Sequence, residues 1–216
     1  MSHLSLSDAR KLFGDRMIEP AAVAVLTGSS AGVEGVAIGI GAAEAEAARD
    51  AGCFLVHRPA RAADGRGVTL ALLRERARAA GLTAFRGDDP WFAEQPFAAA
   101  EAVEPGWALF YAEPWHETLN RTYDAADAAL SARTGDGGWR RRSAVEIAFD
   151  CLAVAAARGV RLLERAWDWS STATEDGGFV NVGGFSAAGL DVLSYSRAVK
   201  HGALGVCPTL VRRDAR

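Results

Sequence analysis

The sequence predicts an α+β fold, and three observations carry that reading. A helix with strong signals at both ends occupies 143–159. Short apolar runs separated by glycine follow it, with no second helix among them. Ahead of both, strand-like and helix-like segments alternate up to about residue 87. A helix followed by strands alone calls for an antiparallel sheet, whereas the alternation up to residue 87 reads as a small α/β-like subdomain. The expected division is therefore 1–87 and 88–216.

Taken in order, 4–17 is a short amphipathic helix with Ser5 or Ser7 as N-cap and Leu6, Leu12 and Phe13 on one side. The runs at 22–26 (AVAVL) and 35–40 (GVAIGI) are of strand length, and their alanine content leaves a buried helix open. Residues 42–52 form a helix closed by Gly52, and 53–59 a strand stopped by Pro59. A helix over 68–81 has Thr69 as cap and Gly81 at its end. From Gly87 the texture turns to Pro, Asp and aromatics, which marks the boundary. A strand over 106–114, a helix over 122–133 and a loop over 134–142 follow.

Ser143 and Glu146 then make an S-x-x-E capping box, and Gly159 sits just past the helix end. Val145, Phe149, Leu152 and Ala156 recur at helical spacing with Ala148, Cys151 and Ala155 alongside. So wide an apolar stripe suits a helix packed centrally on a sheet. The segments from 160 to 172, then GFVNVGGF, GLDVLSY and GVCPTLVRR, are β-like runs with Gly or Asp-Gly turns between them.

Composition removes several function classes. Half the residues are apolar and the net charge is −3, so the basic footprint of a nucleic-acid binder is missing; WRRRS at 139–143 is one short cluster. Cys53, Cys151 and Cys207 have no C-x-x-C or His spacing, which argues against zinc and against a disulfide framework. The start of the chain lacks the apolar segment of a signal peptide, and the most apolar window, 21–41, is too interrupted to span a membrane. The chain reads as cytoplasmic, with no cofactor.

The glycine-rich run at 176–202 raises the question of a phosphate cradle. Its glycines fall between β-like pairs, so no helix N-terminus is at hand to hold an anion. Gly39-x-Gly41 precedes a helix, but Glu44 stands where a dinucleotide fingerprint needs its third glycine, and TGSSAG at 27–32 lacks the P-loop ending. None of the four histidines has a His or carboxylate three or four positions after it to make a metal pair on a helix face. Trp167 and Trp169, two apart, point to one face of a strand. Ser186, Asp191, Ser194, Tyr195 and Ser196 supply the rigid aromatic and adaptable polar groups of a binding surface.

The C-terminal segment resembles bacterial C-type-lectin-like domains, the group that includes the formylglycine-generating-enzyme-like fold and the variable proteins of diversity-generating retroelements. The matching residues are Trp169-Ser170-Ser171, then Gly177, Gly178, Val180, Val182, Gly183, Phe185, Gly189, Leu190 and Val192, then Gly205-Val206 and Val211-Arg212. The resemblance covers roughly 90–216. It implies a lectin-like domain of short antiparallel strands and a central helix, in which the matched positions hold the fold and those between them face a ligand.

Those presenting positions are Gly184, Ser186, Ala188, Asp191, Leu193, Ser194, Tyr195, Ser196, Lys200 and His201, and Trp169, although a matched position, is expected to be displayed with them. The implied function is non-enzymatic binding of a protein or small-molecule ligand by C-terminal loops. Apolar residues at Ala188, Leu193, Ala198, Val199 and Ala203 depart from the family's polar set, and point to a fixed or homo-oligomeric contact. The rival is a formylglycine-type oxidoreductase using Cys207, His201 and Trp169; the family's enzymes use paired cysteines, and this segment holds Cys207 alone.

Overall fold

A computed structural model describes residues 3–29, 38–88, 90–135 and 137–212. The fold is α+β. In chain order, β1 (His3–Leu4) leads to α1 (Leu6–Phe13), whose N-cap is Ser5, accepting from the Asp8 N–H. β2 (Met17–Ile18) follows. Pro20 then opens a 3₁₀ turn that runs into α2 (Ala24–Thr27), so the AVAVL run is helical. Pro at the first helical position and an alanine-rich sequence favour that outcome. β3 (Ile38–Gly41) carries the described part of the GVAIGI run; its first three residues, and the last three of TGSSAG, lie outside the described residues.

α3 (Ala42–Asp50), β4 (Phe54–Arg58) and α4 (Leu70–Ala79, capped by Thr69) fall where the sequence puts them. The Pro-rich stretch holds a 3₁₀ turn at Trp91–Glu94 and α5 (Pro96–Ala100). β5 (Gly106–Phe110), α6 (Tyr123–Thr134) and α7 (Ala144–Arg158) come next, α7 with the full capping box and Gly159 at φ 69°. Of the expected run at 160–172, only the part from Trp167 is strand, because Leu163 at φ 57° turns the chain first. β6 (Trp167–Ala173), β7 (Phe179–Ser186), β8 (Gly189–Tyr195), β9 (Leu204–Gly205) and β10 (Thr209–Arg212) complete the chain.

Two four-stranded sheets organise the molecule. One has the order β10-β5-β4-β2, the other β8-β7-β6-β9; β1 and β3 form a separate antiparallel pair. In the second sheet β6, β7 and β8 are antiparallel as expected, while the short β9 runs parallel to β6. The first sheet crosses the boundary expected at residue 87: β4 pairs with β5, and β5 with the C-terminal β10. The largest core cluster likewise joins Val56 and Leu73 to Phe149 and Val192.

Strand alternation assigns the layers. Leu55, Trp107, Leu109 and Leu210 face a core with α1 and α3, whereas Val56, Ala108 and Phe110 face the core that includes α7. On the second sheet Val180, Val182 and Val192 face that same core, while Trp169 joins Tyr123, Leu130 and Val206 on the opposite face. α7 packs against β2 of one sheet and β6 and β7 of the other. Its residues from Ala144 to Val154 are all buried, Glu146 and Asp150 included. Two carboxylates on a helix buried all round need partners, and those partners organise the site.

Candidate functional site

The partners are arginines from three directions. Arg58, at the end of β4 and fully buried, donates through Nε and Nη2 to Asp150 at 3.0 and 2.6 Å, and through Nη1 to Glu146 at 2.8 Å. Arg142, just before α7, donates from Nη1 to the same Asp150 at 2.9 Å and from Nε and Nη2 to Asp168 on β6 at 3.1 and 2.9 Å. Asp168 also accepts the Cys207 N–H at 2.9 Å. Arg140 donates to both Glu146 oxygens and to Glu104, all within 2.8 Å. WRRRS is thus no basic patch: each of its arginines is paired with carboxylates.

Trp167-Asp168-Trp169 shows how the strand period sorts this chemistry. Asp168, Ser170 and Thr172 turn toward α7, where the Thr172 hydroxyl accepts from the Ala144 N–H and donates to Glu101 at 2.5 Å. Trp167 and Trp169 turn the other way, on one shared face, as their spacing predicts. The network opens outward into a cleft of about 560 Å³ lined by Glu101, Glu104, Asp127, Trp139, Arg140 and Glu146, among others.

Burial pushes the Asp168 carboxyl up to about 6, against the pull of Arg142 and the Cys207 N–H. Burial acts in the same direction on Glu146, but the Arg58 charge and the Arg140 hydrogen bonds overcome it and hold that group down at about 2. The signs oppose each other. Between its ordinary 3.8 and about 6, folded Asp168 binds a proton that the unfolded chain does not, so acidification through 6 stabilises. Between 4.5 and about 2 the unfolded glutamate binds the proton and folded Glu146 does not, so further acidification destabilises. Each carboxyl contributes on the order of 3 kcal/mol. The urea midpoint is therefore expected to peak between about pH 4 and 6, and Asp168→Asn to remove the rise on the neutral side. A midpoint falling steadily from about pH 7 to about pH 3 would contradict this.

The expected presenting residues divide by burial. Trp169 is fully buried and packs edge-on to Tyr123, so it is a floor residue rather than a displayed one. Gly184 is buried too: at φ 56°, an added Cβ would lie 2.8 Å from the Trp167 ring. Both are corrections to the presenting set. Ser186, Asp191, Leu193, Ser194 and Tyr195 are half-buried, with Asp191 ion-paired to Arg86 at 2.8 Å. Ala188, Ser196, Lys200 and His201 are exposed. Apart from Ala188 on its separate turn, the exposed set lies on the 196–203 loop, which is tied down by Arg197 O accepting from Tyr123 N–H and His201 O from Asn120 N–H.

Beneath that loop, Trp169 on β6, Asn181 on β7 and Leu193 on β8 form one cross-strand row. Asn181 is fully buried, and neither its amide nitrogen nor its oxygen has a hydrogen-bond partner; the indole nitrogens of Trp167 and Trp169 are also unpartnered. No family model, curated protein or solved structure matches this chain. The site is therefore read from its geometry.

Among the described residues, no three His, Cys, Asp or Glu side chains converge as metal ligands, and no helix is long and apolar enough to cross a membrane. All three cysteines are buried and unbridged. Cys207 is fully buried, its thiol pushed well up by burial and by Asp168, the reverse of an activated thiolate. His201, meanwhile, lies out on the loop. Sequence reasoning missed the ion network entirely. Its one signal was Glu146 and Asp150, four apart on an otherwise apolar helix.

Proposed function

We propose that this chain is a non-enzymatic recognition module that binds a protein or small-molecule ligand at the 196–203 loop and the adjoining edge of β8. The observation that carries the reading is the unpartnered Asn181 amide, set with two unpartnered indole N–H groups on an aromatic face directly under that loop. Buried polar groups nearly always find partners, so unsatisfied groups shut off from solvent on the face that carries exposed Ser196, Lys200 and His201 mark where a ligand's polar groups would be accommodated once the loop shifts to admit them. Tyr195, edge-on to Trp169, supplies a rigid aromatic anchor at the rim. A second cleft of about 580 Å³ behind Gly202 and Ala203 leaves room for a bound group. The succession of α7 and the β6–β7–β8 meander supports a lectin-like scaffold, since it is the helix-then-strands order that the resemblance implies.

Glycan and peptide arrays probed with the full chain test this. Tyr195→Ala, and the Lys200→Ala/His201→Ala pair, are each expected to reduce an array signal by about tenfold or more. Tyr195 is half-buried, so its loss should lower stability by only about 1 kcal/mol. Hits retained by every loop variant would move the binding surface elsewhere. A near-repeat of the DNA encoding 180–213, differing mainly at adenines and lying beside a reverse-transcriptase gene, would identify the loop as diversified.

A further inference from the structure

The cleft outside the ion network has a charge imbalance confined to one residue. Four carboxylates line it, Glu101, Glu104, Asp127 and Glu146, against two guanidiniums, Arg140 and Arg141. Arg140 bonds Glu104 and Glu146, and Glu146 is also held by Arg58 from behind. Arg141 bonds Asp127 at 3.0 Å and lies over the Tyr123 ring. Glu101 is left with the Thr172 hydroxyl alone. Among the described residues it forms no ion pair, although it is more than half withdrawn from water. Arg140 is near enough to act on it electrostatically, but directs both terminal nitrogens to other acceptors.

A half-buried carboxylate without a counter-charge is an incomplete site. Trp139 lines the same cleft, tilted against Tyr111, and among the described residues no cation lies over its ring, so the cleft has an aromatic wall as well as the acid. One unpaired carboxylate is too few for a metal ion, which takes several oxygen or nitrogen ligands. A planar guanidinium suits it better: one edge can pair with Glu101 while the face lies on an aromatic ring and the apolar stem fills the cleft. We infer that this cleft binds a guanidinium group on a flexible stem, with Glu101 as its counter-ion and Trp139 as its wall. The group could belong to a free small molecule or to an arginine of a peptide. This inference does not depend on ligand binding at the 196–203 loop.

Calorimetric titration of the full chain with agmatine and with the capped peptide Gly-Arg-Gly tests it. The control is Gly-citrulline-Gly, which keeps the planar shape without the charge. Saturable binding of at least one cation is expected; agmatine alone would indicate a free ligand, and the peptide alone or with greater affinity would indicate a protein segment. The citrulline peptide should bind about tenfold or more weakly than its arginine counterpart, and Glu101→Gln should weaken the cation by a similar factor. Glutamine can still accept from Thr172, so the fold is expected to survive, which an unchanged melting temperature would verify. Glu101→Asp, keeping charge but not reach, should fall between the two. Tyr195→Ala should leave cation binding unchanged, which separates this site from the loop. No saturable binding of either cation at millimolar concentration would overturn the inference, as would equal binding of the citrulline control or binding unaffected by Glu101→Gln.

Discussion

Arg58→Met is expected to destabilise the protein by about 3–5 kcal/mol in urea unfolding, one of the two largest effects of any single substitution. Arg58 is wholly buried and makes ion pairs with both Glu146 and Asp150 on α7. Methionine fits the stem's volume but leaves two buried carboxylates partly uncompensated. Arg142 and Arg140 still reach Asp150 and Glu146, so the loss should stop short of the full desolvation cost of two bare ions. Because Arg58 joins the first sheet to the central helix, the variant should also lose cooperativity between β4 and α7. Combining it with Asp150→Leu should recover part of the stability, since removing both charges is less costly than stranding one. A loss below about 1 kcal/mol for Arg58→Met would mean that water reaches the network.

Gly183→Ala should cost about 3 kcal/mol or more, for a different reason. A Cβ at this position would lie 2.1 Å from the Ala166 carbonyl oxygen and 2.6 Å from the Trp167 Cα. Both contacts are backbone, at the first residue of β6, which pairs with Gly183, and at the residue just before it, so relief requires separating β6 from β7. The indole row that floors the proposed binding face would shift with them. Gly202→Ala is the matched control: an added Cβ there meets nothing within 4 Å, and the change should stay within about 0.5 kcal/mol. Thermal or urea unfolding of the pair decides the matter; equal stabilities would show that the strands can part without cost.

The same two substitutions mark where sequence reasoning succeeds and where it stops. The glycine-rich run reads from the sequence as scaffold alternating with display, and Gly183 is scaffold because a backbone touches it. The arginines of WRRRS read from the sequence only as a short basic cluster, because nothing local says that Glu104, Asp127 and Asp168 will come to meet them from other elements. Glu146 was legible as a capping residue, and it is one; that it also accepts from Arg58, 88 positions away, was not. Trp169 was correctly paired in direction with Trp167, but whether that shared face is solvent or core depends on α6 covering it.

Local signals by themselves determined the caps of α4 and α7, the glycine stops, the strand alternation in β6–β8 and the overall α+β class, and narrowed the cap of α1 to Ser5 or Ser7. These rest on backbone hydrogen bonding and side-chain period within a few residues of chain. Tertiary structure alone decided that β4 and β10 flank β5, that three arginines share three buried carboxylates around α7, that Glu101 has no ion pair among the described residues and that the Asn181 side chain has no hydrogen-bond partner. Each of those depends on which distant groups arrive within about 3 Å of one another, and burial sets the energy of such contacts once they are made.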